Sequence, residues 1–73
     1  MTYRVRIFLR RSDQNAGRYI GERYLRDIPR VNGSVVFDDA GVQRGKVEGI
    51  FPDNWEPASE LIPSIHVVQD AKA

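Results

Sequence analysis

The run Tyr3-Arg4-Val5-Arg6-Ile7-Phe8-Leu9-Arg10 alternates side chain by side chain, and that period of two is the spacing of a strand and not of a helix. It places Tyr3, Val5, Ile7 and Leu9 on one face and Arg4, Arg6, Phe8 and Arg10 on the other. A strand with one aliphatic face needs cover, and a chain of 73 residues has room for one core only. Nothing else can staple so small a fold. The lack of cysteine removes disulfides and thiolate metal sites, and the single histidine, His66, has no imidazole partners for zinc. Stability must come from packing, with self-association as one further source open to so small a fold.

The remaining segments read as further strands. Residues 12–17 are polar, with Asn15 and Gly17 suited to a tight reversal, so residues 18–25 are predicted to return as a second strand with Gly21 as a bulge or bend. Pro29 and Asn32-Gly33 break the pattern before a short β-branched third strand over 34–37. A turn is expected over 38–41. Residues 44–51 form a fourth strand, weakened by Gly45 and Gly49 and ended by Pro52, which cannot donate to a ladder. Residues 52–63 make a long loop in which Asp53, three residues before Glu56, predicts one helical turn, with Leu61 and Ile62 pinning the loop to the core. Residues 64–69 close the fold as a fifth strand, and 70–73 are expected to fray. The expectation is one all-β domain over residues 1–73, a small five-stranded, partly open barrel whose closure reduces exposed sheet edges.

The order hairpin, turn, hairpin, helical turn, last strand is similar to that of Src-homology-3-like barrels. Gly33-Ser34-Val35-Val36, then Gly41, then Gly45-Lys46-Val47-Glu48-Gly49-Ile50 resembles the KOW motif of ribosomal and transcription-associated small barrels, with Gly45, Val47 and Ile50 at its Gly-x-Val-x-x-Ile positions. The stretch covers about 18 of the 73 residues, and Ser34 stands where the motif usually has Asp. The resemblance implies a nucleic-acid-binding barrel.

The charge distribution bears on the same ligand class by a separate route. The net charge is only +1, yet residues 1–30 carry eight arginines against Asp13, Glu22 and Asp27, while seven of the ten acids fall after residue 30. Two readings compete: a basic face for an anionic partner, or two halves that pack together and compensate. The first would use Arg4, Arg6, Phe8 and Arg10, joined by Arg18, Arg23 and a tyrosine from the next strand, because cations interleaved with aromatics suit single-stranded nucleic acid.

Other chemistry finds little support. Gly45-Lys46-Val47 lacks the Ser or Thr and the helix that a phosphate-binding loop requires. Ser64, His66 and Asp70 share one face of a strand at spacings too wide for a nucleophile and base in contact. Asp38 and Asp39 diverge in a turn and lack further oxygen ligands for a metal. Trp55, beside Pro52 and Pro57, could line a peptide groove, although folding the loop over a barrel end is the expected role for the only tryptophan. The function expected is therefore a non-catalytic interaction module that binds protein or itself, the alternative being RNA or single-stranded DNA on the arginine face. No cofactor, metal or membrane is expected. The N-terminus has no apolar leader and no run is long enough to span a bilayer, so a cytoplasmic location is expected.

Overall fold

The alternating N-terminal run becomes the central strand β1, Tyr3–Arg11, in a computed structural model that describes residues 2–38 and 43–70. It pairs antiparallel with β2, Arg18–Leu25, and parallel with β5, Ser64–Gln69. On the far side of β5 lie β4, Gln43–Phe51, and then β3, Ser34–Asp38, both pairings antiparallel. The sheet order is therefore β2-β1-β5-β4-β3, an all-β arrangement with the last strand inserted between two hairpins. Asp39 to Gly41, and with them most of the expected turn over 38–41, lie outside the described residues, as does the tail beyond Asp70.

The apolar half of each strand makes the core. Val5, Ile7, Leu25, Val35, Phe37, Val47, Ile65 and Val67 are buried, with Leu9, Ile20 and Ile50 packed against them. Burying each such side chain is worth about 1.5–3 kcal/mol against leaving it exposed. Tyr3, opposite the buried Leu25, is half-buried on the same side. A single sheet can enclose these side chains only by curling, and three register shifts supply the extra twist: between Ile7 and Phe8, between Val36 and Asp38, and between Val47 and Gly49. At the first, Gly21 takes a φ of 114°, which bears out the bulge read from its position.

Curling also demands close approach on the inner side. A Cβ at Gly45 would overlap the Val67 side chain and stand 2.9 Å from the Val68 carbonyl oxygen, so a glycine that weakens the strand by propensity is what lets β4 lie tightly on β5. The two edge strands β2 and β3 come near one another without forming a ladder, and a groove of about 340 Å³ bordered by Tyr24, Leu25, Val35, Val36 and Arg44 separates them. The result is a half-barrel, partly open along this seam.

Three details differ from expectation. Leu61, expected to pin the 52–63 loop to the core, is 64% exposed, while Ile62 is half-buried. The segment 52–63 contains no helix. It folds as two successive turns, closed by Trp55 N–H to the Pro52 carbonyl at 3.0 Å and by Ser59 N–H to the Glu56 carbonyl at 2.9 Å. The Asp53 to Glu56 spacing therefore does not open a helix: Pro57, directly after Glu56, lacks the N–H that the next turn of a helix would need. Arg18 and Arg23 do not join the arginine face of β1. They stand opposite Leu9 and Val5, on the core side of the sheet, and the Arg23 guanidinium folds back to the Glu22 carbonyl at 2.9 Å. The shift at Gly21 leaves Tyr19, Glu22 and Tyr24 on the outer face instead. Among the described residues no helix is long and apolar enough to cross a membrane.

Candidate nucleic-acid interface

Because the inner faces of the strands are used up by the core, the outer face carries what remains. Register brings together side chains that are far apart in the chain. Phe8 on β1 stands opposite Tyr19 on β2 and opposite His66 on β5, and His66 in turn stands opposite Gly49 on β4. The Phe8 and Tyr19 rings are tilted at 5.2 Å, Phe8 and His66 are stacked within 7° at 4.9 Å, and the Phe51 ring meets His66 edge-on at 5.1 Å. Four rings from four strands therefore form one row across the sheet, at spacings close to the roughly 4.8 Å between neighbouring strands. Gly49 makes the last place in the row. A Cβ there would stand 3.3 Å from the Phe51 ring, which lies over the position a side chain would fill.

Phe8 and His66 are half-buried within the row, whereas its ends, Tyr19 and Phe51, are 50% and 52% exposed. The inner rings cover each other and the outer two offer free ring surface. That arrangement suits planar ligand groups added at either end or laid along the edge of the row.

Cations flank the row on both sides. Toward the start of β1, Arg4 donates to Glu22 through Nε at 2.9 Å and Nη2 at 2.5 Å, and Arg6 lies 3.8 Å from the other carboxylate oxygen. The hydrogen bond with Glu22 raises the Arg4 pKa above its already high ordinary value. Toward the end of β1, Arg10 reaches over β5 to Glu48, the extra residue of the β4 bulge. It binds that carboxylate through Nε at 3.2 Å and through Nη2, while Nη1 donates to the Gln14 carbonyl at 2.8 Å. The hydrogen bond from Arg10 holds the Glu48 carboxyl below the usual carboxylate range, against the desolvation that would raise it. Lys46, opposite Val68, completes this side and makes no ion pair among the described residues.

Of the residues singled out in the sequence, Arg4, Arg6, Phe8 and Arg10 share this face, and Arg18 and Arg23 do not. Trp55 stands outside the ring row but beside its Phe51 end, half-buried between a cleft with Ile28, Pro29 and Phe51 and another with Tyr3 and Leu61. Its indole N–H donates to the Leu61 carbonyl at 3.2 Å, so the donor a proline-rich peptide would meet is already engaged in closing the loop. Ser64 and His66 are both on the outer face, but His66 is held by rings. Among the described residues no three of His, Cys, Asp and Glu are placed to hold a metal. The tyrosine expected from the second strand is Tyr19; His66, Phe51, Glu48 and Lys46 are absent from the face read in the sequence because their only signal is cross-strand register, which a bulge shifts by one residue.

The chain matches no protein-family model, no curated protein and no solved structure.

Proposed function

We propose that this chain is a non-catalytic binding module that holds single-stranded nucleic acid on the outer face of its sheet. The observation that carries the reading is the row Tyr19, Phe8, His66 and Phe51, flanked by Arg4 and Arg6 on one side and by Arg10 and Lys46 on the other. Stacking on aromatic side chains contributes about 1–3 kcal/mol per base and tolerates any sequence, while guanidinium and ammonium groups meet the phosphates. The KOW-like stretch supplies β4, and so Lys46, Gly49 and the strand that ends at Phe51. The reading goes with a cytoplasmic location, where such ligands are found.

An NMR titration with a short mixed-sequence single strand at low salt tests it. Shift perturbations centred on Tyr19, Phe8, His66 and Phe51, with affinity falling as salt rises, are expected. No perturbation of these residues at millimolar ligand would remove the reading.

Self-association through the same face is the second reading, favoured by the carboxylates that already neutralise Arg4, Arg6 and Arg10. Sedimentation over a range of protein concentrations separates the two, because a dimer that ignores the oligonucleotide would select the second.

A further inference from the structure

We infer that the phosphates of the bound strand follow the Arg10–Lys46 side of the ring row, and that Glu48 is a built-in competitor for that track. The inference rests on the nucleic-acid reading above and adds a direction and a regulating group to it. Register is the first ground. Arg10, Val68 and Lys46 stand opposite one another on β1, β5 and β4, forming a cross-strand row that runs beside Phe8, His66 and Gly49. The two rows are two residues apart along β1 and β5, roughly 6.6 Å, and three apart on β4, where Glu48 is the bulge residue. A nucleotide whose base lies against the rings can therefore set its own phosphate on the cations.

Charge is the second ground. On the opposite side of the row, Arg4 and Arg6 both lie within ion-pair distance of one carboxylate, Glu22. Lys46 has no ion pair among the described residues and is exposed, so it is a charge ready to meet a phosphate. Arg10 presents its fork to Glu48 in two hydrogen bonds, the planar geometry in which an arginine also grips a phosphate. The Glu48 carboxylate thus occupies the place that a phosphate would take, and ligand binding must displace it or bear its repulsion.

Single-stranded oligonucleotide binding measured against salt tests this. Lys46→Ala should weaken binding and flatten the logarithmic salt slope by about 0.7, the value of one phosphate contact on a single strand. Arg4→Ala should leave the slope near that of the parent. Glu48→Gln, which keeps a hydrogen-bond acceptor and removes the charge, should tighten binding several-fold at low salt. A slope that responds to Arg4→Ala and ignores Lys46→Ala would overturn the inference while leaving the nucleic-acid reading intact. Weaker binding by Glu48→Gln would overturn the competitor role, since the carboxylate would then be positioning Arg10 productively. Parent protein that binds no oligonucleotide at low salt, or that loses it equally to polyglutamate, would overturn both. Thermal melts of each variant guard against loss of fold.

Discussion

Replacing Phe8 by Leu separates a ring row that binds from one that merely covers the sheet. Phe8 touches two rings, Tyr19 at 5.2 Å and His66 at 4.9 Å, and is half-buried between them. Each aromatic pair contributes about 0.5–1.5 kcal/mol beyond the area it buries, so losing both while keeping an aliphatic cover should cost about 1–3 kcal/mol of stability. In a domain of this size each kcal/mol lowers Tm by roughly 4–8 °C, a shift that a thermal melt followed by circular dichroism resolves. Tyr19→Leu breaks only one pair, at the 50% exposed end of the row, and should cost no more than half as much. Binding should respond differently. Loss of a stacked base at about 1–3 kcal/mol lowers affinity roughly five- to 150-fold. Because Tyr19 offers the freer ring surface, Tyr19→Leu should lose at least as much affinity as Phe8→Leu despite its smaller effect on stability. Fluorescence anisotropy with a labelled single strand, read well below both melting temperatures, gives the two affinities. Variants that melt earlier yet bind like the parent would refute the argument and return the row to a purely structural role.

Three further outcomes follow from the same geometry. Ile7→Ala should cost about 2–5 kcal/mol, a large part of what a domain this small has, because Ile7 is fully buried between Ile65 and Gly21, which offers no side chain to fill the cavity; urea melts showing a small loss there and a large one for Arg6→Ala would reverse the assignment of faces. Gly45→Ala should destabilise by about 1–3 kcal/mol through overpacking against Val67 and the Val68 carbonyl, outweighing the gain of roughly 0.5–1 kcal/mol that alanine brings to a strand interior. Since the folded-state pKa of Glu48 is lowered, its contribution to stability is present above the unfolded carboxylate pKa of about 4.3 and is lost as pH falls through the folded value. Acid titrations of stability should therefore show a shallower decline below about pH 4.3 for Glu48→Gln than for the parent; identical acid limbs would show that the Arg10 pair adds nothing to the fold.

Much of the architecture is legible in the sequence. Alternation identified β1 and both of its faces, because period two leaves no freedom once one face is apolar. Gly21 announced a bulge, Pro52 ended β4, and β-branched residues marked β3 and β5, each through local backbone chemistry that needs no knowledge of the rest of the chain. Residues 52–63 read as a loop from the sequence, but their internal turns do not, since a capping pattern weighs less than the proline that interrupts it.

What local chemistry does not contain is the pairing between strands. Nothing in residues 64–69 says that they slot between β1 and β4 and run parallel to β1, yet that insertion is what puts His66 against both Phe8 and Phe51. Nor does the composition of β2 reveal that one extra residue at its bulge sends Arg18 and Arg23 to the core side and Tyr19 to the outer one. An all-β chain with an arginine-lined strand follows from the order of residues alone; which aromatics stand beside those arginines, and that Glu22 and Glu48 restrain them, is set by the assembled sheet. The physical reason is that side-chain alternation is a property of each strand alone, whereas register is fixed by contacts between residues as much as 58 positions apart, as for Phe8 and His66.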